Sequence, residues 1–483
     1  MNHDRLRAGC VPAWMWGIPA IVMVAGIRPG FAPARAQTIV PAGPAAAASP
    51  GGPGSGAAGS VAAASGGGGI DVPQAAETTP TGEQRQREAE VTKVLSRALG
   101  LEDSPVSVYG WIQNSYTGTP GISPRNGSTV TVFPNRLANA WQGNQYYLIL
   151  ENPLESGSEL NAGFRFDTLF GNDWMITKSF GLFDGAFTPL GFAGVDFPQI
   201  YGDLHLPLAE KVEFVVRGGR FYSPAGFESI QAVKRPLLSI PYLTEFTPFT
   251  FLGALTNLQL GDRLTITNAA VNGTDRWFNQ NYHYSYLGGV NWNSSNGRNT
   301  FASFTLVGPN QLPFFPSTNP QQTPTLPVGA YFVPGLQGKR NPLYNRSTLV
   351  YHSSVFTHKW GEKQRLTQAM EVFFITEGNV LGYGRGGGVG RISYYGGAHW
   401  LLYEVAPNVT AVARHEVFAD PNGFVFPAPD NHYEMTYGLI IKPRPCLWIR
   451  PEIRYDWAQF TRPYNDGTRS GELTLACDVI VQF

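Results

Sequence analysis

The chain has 483 residues with 35 basic and 35 acidic side chains, and 14% of its residues are charged, against about 25% in a typical soluble domain. Glycine (56), proline (38) and aromatic residues (13%) are frequent. This composition excludes a disordered chain and a coiled coil, and after the N-terminal region no run approaches the ~20 apolar residues of a spanning helix. The neutral balance gives no reason to expect nucleic acid as a partner. A large β-rich protein remains, either secreted or a membrane barrel.

The N-terminus has the pattern of a secretory signal. Two arginines precede an apolar run over 8–27, and an Ala-Arg-Ala site follows at 34–36. We therefore expect residues 1–36 to be a cleaved signal peptide, the alternative being an uncleaved membrane anchor. Cleavage leaves 31 basic and 34 acidic residues and two cysteines, Cys446 and Cys477. Strand alternation places these cysteines on opposite faces of neighbouring strands, so both are predicted to be free thiols.

A tether and a short helix are predicted before the main domain. In the range 41–70, 28 of 30 residues are Ala, Gly, Pro or Ser, which bury too little apolar surface to offset chain entropy, so 37–82 is expected to be disordered. A short periplasmic helix is expected over 83–100, where it could plug the channel, associate with other copies or rest on the barrel rim. Its predicted apolar face consists of Val91, Val94, Leu95, Ala98 and Leu99.

From 105 to 483 the chain repeats segments of about ten residues that alternate apolar and polar side chains, close to the 9–11 residues that cross a bilayer as a tilted strand. The connections between them are alternately long and short. This alternation is typical of outer-membrane barrels, whereas a soluble β-sandwich has no structural reason for it. The prediction is an all-β, transmembrane antiparallel β-barrel of about 16 strands. The segments are 105–116, 144–152, 158–169, 197–207, 211–221, 249–260, 262–272, 283–293, 299–307, 346–358, 364–376, 390–404, 408–419, 431–442, 446–458 and 471–483.

Charged residues recur on one face of the predicted strands. Within 446–458 four of them share a face, and in lipid each Arg would cost roughly 2–4 kcal/mol, so this face is expected to line a wet interior. The charges could filter solutes by their field, or they could form salt bridges that only stiffen the wall. The predicted pore-lining residues are Arg165, Asp167, Asp203, His205, Glu213, Arg217, Glu371, Arg414, Glu416, Glu434, Arg450, Glu452, Arg454, Asp456 and Asp478.

Aromatic residues gather near the ends of the predicted strands. Their amphipathic rings suit membrane interfaces, where barrels carry aromatic girdles. A core role is less favoured, because one barrel of this size is expected to have no closed core. The predicted girdle residues are Tyr109, Trp111, Tyr146, Tyr147, Phe221, Tyr222, Tyr284, Trp292, Tyr455 and Trp457.

Motifs of catalysis and cofactor binding are weak. Residues 382–387 match a G-x-G-x-x-G string, but no helix is predicted after it. His415 and Glu416 begin a zinc-protease string whose second histidine is absent, because Ala419 stands there. The sequence has no G-x-S-x-G elbow and no paired-cysteine metal motif. We therefore expect no enzyme activity, cofactor or metal.

The stretches GRFYSPAGFE at 219–228, LSIPY at 238–242 and TPFT at 247–250 resemble the OmpL-like β-barrel porin family of Gram-negative bacteria, including planctomycetes, and the resemblance covers 105–483. In that family a G-(K/R)-(F/Y) stretch leads into G-(Y/F)-E, then a serine-containing aromatic segment and a P-F-T-like element. The resemblance implies an outer-membrane porin. The chain departs from the pattern at 234–236, where an Asn- and aromatic-rich turn is more usual. The stretches YGWIQ at 109–113 and FDT at 166–168 are also similar to the family.

The third outer connection, 222–248, is a candidate for a constriction, since in trimeric porins a third loop folds into the barrel. By that analogy Glu228, Lys234, Arg235 and Glu245 are candidate constriction residues. Replacing Lys234 and Arg235 together is predicted to change ion selectivity.

Three functions follow as hypotheses. The first is a porin in the outer membrane that passes small hydrophilic solutes or ions passively, with lipids and the barrel-assembly machinery as partners and a homotrimer by analogy. The second is a surface scaffold or adhesin with a closed lumen, in which long loops such as 308–345 bind partners. The third, an outer-membrane hydrolase, needs a Ser–His pair facing lipid, for which only Ser393 lies on a strand next to His415.

Overall fold

Seventeen strands among the described residues form one sheet in the computed structural model of the chain. The structure describes residues 91, 93–121, 137–154, 159–183, 193–278, 283–312, 339–426 and 428–483, so the predicted signal and tether lie outside the described residues. The strands are β1 Ser107–Gly118, β2 Ala140–Asn152, β3 Asn161–Gly171, β4 Gly194–Asp196, β5 Ile200–Ala209, β6 Val212–Tyr222, β7 Thr250–Leu260, β8 Leu264–Val271, β9 Ser285–Asn293, β10 Asn299–Gly308, β11 Leu349–Trp360, β12 Leu366–Leu381, β13 Val389–Ala406, β14 Val409–Asp420, β15 Asp430–Arg444, β16 Leu447–Ala458 and β17 Gly471–Gln482.

The sheet closes on itself. Strand β1 pairs antiparallel with β2 on one side and with β17 on the other. Strands β4 and β5 both pair with β3 and together fill one position in the wall. The molecule is therefore a closed antiparallel barrel of sixteen strands, which confirms the predicted fold class.

An interruption separates β4 from β5, where a single strand is predicted over 197–207. Phe166 of β3 faces Ile200 and Leu169 faces Asp196, so the three residues 197–199 oppose two residues of β3. The middle residue of this bulge is a proline, which has no N–H to donate to the ladder. The alternation pattern alone did not reveal the break.

The two ends of the barrel differ in their connections. Tight turns close one end, here called the short-turn end, and glycines with positive φ make two of them possible, Gly261 (φ 61°) and Gly361 (φ 74°). All long connections leave the other end, here called the long-connection end. In outer-membrane barrels the short turns are periplasmic and the long loops face outward.

Only the C-terminal part of the predicted helix lies within the described residues, as α1, Val94–Ala98. It contacts the start of β1, because Ser96 Oγ donates to Val108 O at 3.0 Å and accepts from Val108 N at 2.8 Å. Val94 and Leu99 of the predicted apolar face are more than half exposed, and the role of this helix stays a prediction. The hydroxyl of Ser96 makes this contact because it both donates to and accepts from an unpaired strand end.

Four of the predicted girdle aromatics are buried and do not contact lipid. The side chains of Trp111, Tyr147, Phe221 and Tyr222 are buried, and the Trp111 and Tyr147 rings stack with centroids 4.2 Å apart. Sequence neighbours on a strand point to opposite faces, so of the pair at 146–147 only the first faces outward. The girdle assignment ignored this alternation. Outward-facing and exposed are Tyr146, Tyr284, Trp292 and Tyr455.

A packed core lies within the barrel, contrary to the expectation of an open interior without one. The chain between β6 and β7 contributes buried apolar side chains to this core, among them Phe227, Ile240 and Tyr242. They meet inward-facing aromatics of the wall, and the Phe227 and Trp400 rings lie 4.6 Å apart. The core exists because a connection folds inward, which strand periodicity does not report.

Both cysteines of the described chain are free, as predicted. Because neither Cys446 nor Cys477 has a disulfide partner, we expect a thiol-reactive chromophore to titrate about two thiols per chain in the denatured, unreduced protein after signal removal. Fewer than two would show a disulfide or a modification. Among the described residues no helix is long and apolar enough to span a membrane.

Candidate functional site: the inner wall and the inward segment

Residues 223–249, which connect β6 and β7, are here called the inward segment. They contain a 3-10 turn at Ala232–Lys234 and a short helix α2, Tyr242–Glu245. Nearly every residue of the segment is buried. A connection at the surface of a barrel would expose much of its chain, so this one is enclosed by the rest of the protein.

Contacts with opposite walls show that the inward segment crosses the lumen. Its backbone donates from Ala232 N to Gln145 Oε1 of β2 at 3.0 Å and from Phe227 N to Glu371 Oε2 of β12 at 2.8 Å. Strands β2 and β12 lie on different sides of the closed sheet. The segment therefore bridges the barrel interior and narrows it.

Arg414 of β14 holds the segment at two points, Glu228 and Ser239. Its guanidinium donates to Glu434 Oε1 at 2.6 Å, to Glu228 Oε1 at 2.9 Å and to the carbonyl of Ser239 at 2.7 Å. Trp400 Nε1 donates to the same Glu228 oxygen at 2.7 Å. Burial raises the pKa of the Glu228 carboxyl, and Arg414 opposes that rise. One wall cation thus links two carboxylates and the segment backbone.

Four inward residues of β16 contact the segment between Ala232 and Tyr242. Arg450 donates to Ala232 O at 2.9 Å, and Glu452 accepts from Leu238 N at 2.9 Å. Further along the strand, Arg454 donates to Ile240 O at 2.7 Å, and Asp456 accepts from Tyr242 Oη at 2.6 Å. The charges that share a face of this strand therefore hold the segment by its backbone and one hydroxyl.

The Tyr242 hydroxyl stays a donor. Burial raises its pKa well above the usual value, and the neighbouring Asp456 carboxylate raises it further. The backbone N–H groups of Tyr242 and Leu243 both donate to Glu416 of β14 at 2.6 Å. This carboxylate caps the first turn of α2, where unpaired N–H groups favour an anion.

The remaining predicted pore-lining residues face inward, where they form ion pairs or hydrogen bonds with other side chains of the barrel wall. Arg165 binds Asp167 at 2.8 Å and Glu151 at 2.9 Å. Ser353 Oγ donates to Glu371 at 2.7 Å. The other ion pairs are Arg217 with Asp203 at 2.7 Å, Arg450 with Asp478 at 2.5 Å and Arg454 with Asp456 at 2.7 Å. His205 Nε2 and Glu213 Oε2 lie 3.5 Å apart without a hydrogen bond.

The predicted constriction residues occupy the inward segment but play different parts. Glu228 and Arg235 are fully buried, and Arg235 binds Asp173, which lies beyond β3, at 3.3 Å. Burial lowers the pKa of Arg235, and Asp173 opposes that shift. Glu245 is buried within α2, whereas Lys234 is half-buried. That these residues constrict a pore stays a prediction.

Sequence reasoning missed several residues of this site. Gln145, Asp173 and Trp400 have no motif, and only the folded chain brings them to the inward segment. Glu472 shares the inward parity of Asp478 on β17, so alternation could have found it. It was omitted from the predicted pore wall.

A buried carboxyl at the long-connection end supports a pH prediction. Asp275 lies between β8 and β9, and burial raises its pKa to about 7, although backbone N–H donors from Phe249 and Thr250 oppose the rise. The folded pKa exceeds the unfolded value of 3.8, so the folded protein binds more protons between pH 4 and 7. The free energy of unfolding should therefore fall as pH rises through that window, by at most about 1.4 kcal/mol per pH unit.

Urea unfolding at pH 5 and pH 7.5 measures this effect. We expect Asp275→Asn to reduce the difference between the free energies of unfolding at the two pH values. The amide keeps an acceptor oxygen for the backbone N–H groups, but it does not ionise. Parallel pH dependences of the wild-type protein and the variant would contradict the assignment.

Within the parts of the chain that the structure describes, no group of three or more His, Cys, Asp or Glu side chains could hold a metal ion. The string at 382–387 forms a turn between β12 and β13, with a 3-10 turn at Arg385–Gly387, and β13 rather than a helix follows it. It therefore lacks the helix N-terminus that binds a dinucleotide pyrophosphate.

Comparison with known proteins gives one family match. Residues 105–483 match the family described as "Putative beta-barrel porin-2, OmpL-like". No curated protein matches the chain significantly. Among solved structures, the outer membrane channel DcaP of Acinetobacter baumannii is similar at 11% identity and a TM-score of 0.49, over 78% of this chain and 97% of that one. An anion-selective porin from Comamonas acidovorans matches at 10% identity and 0.48, over 78% and 99%. OprB of Pseudomonas putida matches at 9% and 0.47, over 81% and 97%.

Proposed function

The chain belongs to the OmpL-like family of β-barrel porins, and from this premise we propose that small hydrophilic solutes and ions diffuse passively past the inward segment. The observation that carries the proposal is a closed barrel with a charged inner wall, narrowed by a segment hydrogen-bonded to both sides. Because most of the wall charges are paired and weaken each other's field, the path excludes solutes by width more than by charge. No energy source, cofactor or catalytic residue takes part.

Single-channel recording tests this function. We expect the protein purified from the outer membrane of a bacterial host to give stable, stepwise, ohmic openings in a planar lipid bilayer. A protein that is heat-modifiable on gels, and therefore folded, yet electrically silent would overturn the porin proposal. That outcome would favour the surface scaffold, which the densely packed interior also supports.

The outer membrane is the location that the porin family implies, and we propose the export route as well. The N-terminal pattern supports cleavage after Ala36, and the closed β-barrel supports insertion by the barrel-assembly machinery. Mass spectrometry of the purified protein should give a chain that begins at Gln37. An intact N-terminus would contradict cleavage.

We propose a homotrimer in the membrane. A polar patch on the outward face of β10 and β11 supports it: Thr305 Oγ1 lies 2.8 Å from His352 Nδ1, His352 Nε2 lies 2.9 Å from Ser354 Oγ, and Ser303 Oγ lies 3.0 Å from Ser354 Oγ. Such side chains gain little from lipid, whereas contact between protein subunits can enclose them. Native mass spectrometry should show three copies, and a monomer alone would overturn this part.

A further inference from the structure

The exposed charges at the long-connection end, whose opening is here called the mouth, are nearly all positive. Within the described residues, the connections that leave this end expose six Lys and Arg side chains but a single acidic one, Asp466. This excess is local, because the whole chain has 35 basic and 35 acidic residues. The six basic residues, here called the mouth cations, are Lys339, Arg340, Arg346, Arg385, Arg462 and Arg469.

Two of the mouth cations lie on a connection that packs against the inward segment. Between β16 and β17, the backbones of Tyr464 and Arg469 exchange hydrogen bonds at 3.0 and 3.1 Å. Tyr464 is fully buried, and its hydroxyl lies 3.1 Å from the Tyr242 hydroxyl. Because Tyr242 belongs to the segment that crosses the lumen, this contact ties the connection to the barrel interior. Arg462 and Arg469, on either side of Tyr464, are therefore held at the mouth with exposed side chains.

The acidic groups beneath the mouth are buried next to groups of opposite charge. Asp420 accepts from three backbone N–H groups at 424–426 at 2.8–2.9 Å, and Asp430 accepts from three at 459–461 at 2.7–3.2 Å. Deeper in the lumen, Asp456 binds Arg454 at 2.7 Å. Such neighbours weaken the field of each carboxylate in the water outside. The exposed mouth cations therefore dominate the field that an entering ion meets first.

A charged entrance selects ions before they reach the narrow part of a path. The low-dielectric walls of a cleft focus the field of its charges and raise the local concentration of ions of the opposite sign. Because the mouth cations are exposed, ions in solution reach them directly. Positive side chains at a pore entrance attract anions and repel cations.

Resting on the proposed porin function, we propose that the mouth is an electrostatic entrance for small anionic solutes and that Arg462 and Arg469 contribute most to this preference. The other mouth cations add to the same field from neighbouring connections. The paired charges of the inner wall hold the inward segment and leave the choice between anions and cations to the mouth.

Reversal potentials in a KCl gradient across a neutral phosphatidylcholine bilayer test the entrance. At about 0.1 M salt, where the Debye length is about 10 Å, we expect the wild-type channel to prefer chloride. The double variant Arg462→Gln, Arg469→Gln should lower the chloride-to-potassium permeability ratio by about twofold to fivefold, the effect of two unit charges roughly 8 Å from an ion in screened water. At about 1 M salt the two proteins should converge, because the Debye length falls to about 3 Å.

The matched control is Arg391→Gln, compared with Arg469→Gln alone. Arg391 is exposed near the same end of β13, but it alternates with the buried Ile392 and Tyr394 and therefore lies on the outward face. Its loss should leave the ratio unchanged, and heat-modifiability on gels checks that every variant folds. A conducting wild-type channel without chloride preference, or an unchanged ratio in the double variant, overturns the anion entrance while the conductance still supports the porin. A folded but silent wild-type barrel overturns the porin function itself, and the anion entrance with it.

Discussion

Replacing residues 226–246 by a short Gly/Ser linker is expected to raise single-channel conductance by at least about twofold. The inward segment crosses the lumen, and a sixteen-stranded barrel without such a segment leaves an aqueous channel. The barrel should still close, because Tyr222 and Thr250 face each other at the ends of β6 and β7 and a hairpin-length linker can join them. The wall charges freed by the deletion, such as Arg414 and Glu416, would then be hydrated.

The matched control shortens the exposed connection 385–387 between β12 and β13. This change alters a loop at the same end of the barrel without touching the inward segment, so conductance should stay at the wild-type value. If the deletion of 226–246 folds but conducts like the wild-type protein, the inward segment does not limit the flow of ions.

The wall of this barrel was predictable because the sequence of each strand alone indicates which of its side chains face inward. Alternation with a period of two separates inward from outward residues within a single segment, as in β16, where Arg450, Glu452, Arg454 and Asp456 all face inward. The lengths of successive connections then indicate the membrane barrel. Both signals are local, and neither depends on which residues meet across the lumen.

The interior was not predictable because its contacts join residues that lie far apart in the sequence. Arg414 and Glu228 are 186 positions apart, and nothing in the local sequence of either strand or segment specifies their contact. The same holds for Trp400 and Asp173. Local patterns also failed at the bulge in 197–199, where an extra residue interrupts the period of two.

Replacing Arg414 by alanine is expected to destabilise the folded barrel by about 3–5 kcal/mol, the usual effect of removing one partner from a buried ion pair. The substitution leaves Glu228 and Glu434 buried without the cation that both of them bind, and it frees the carbonyl of Ser239. Lysine should recover only part of the loss, because its single ammonium cannot match the planar fork of the guanidinium. Urea unfolding in detergent micelles, followed by tryptophan fluorescence, measures the change.

Replacing Arg414 and both of its carboxylate partners by neutral side chains distinguishes two contributions to the lost stability, the broken ion pairs and the lost packing. We expect the triple variant Arg414→Met, Glu228→Gln, Glu434→Gln to be more stable than Arg414→Ala alone, because it removes the buried charges together and keeps the volume. The double-mutant cycle of Arg414 with Glu228 should give a coupling energy of about 1–3 kcal/mol. Additive effects of the two single substitutions on the free energy of unfolding would mean that Arg414 does not anchor the inward segment through Glu228. The deletion of 226–246 could then still raise conductance, but the Arg414–Glu228 pair would not be what holds the segment in place.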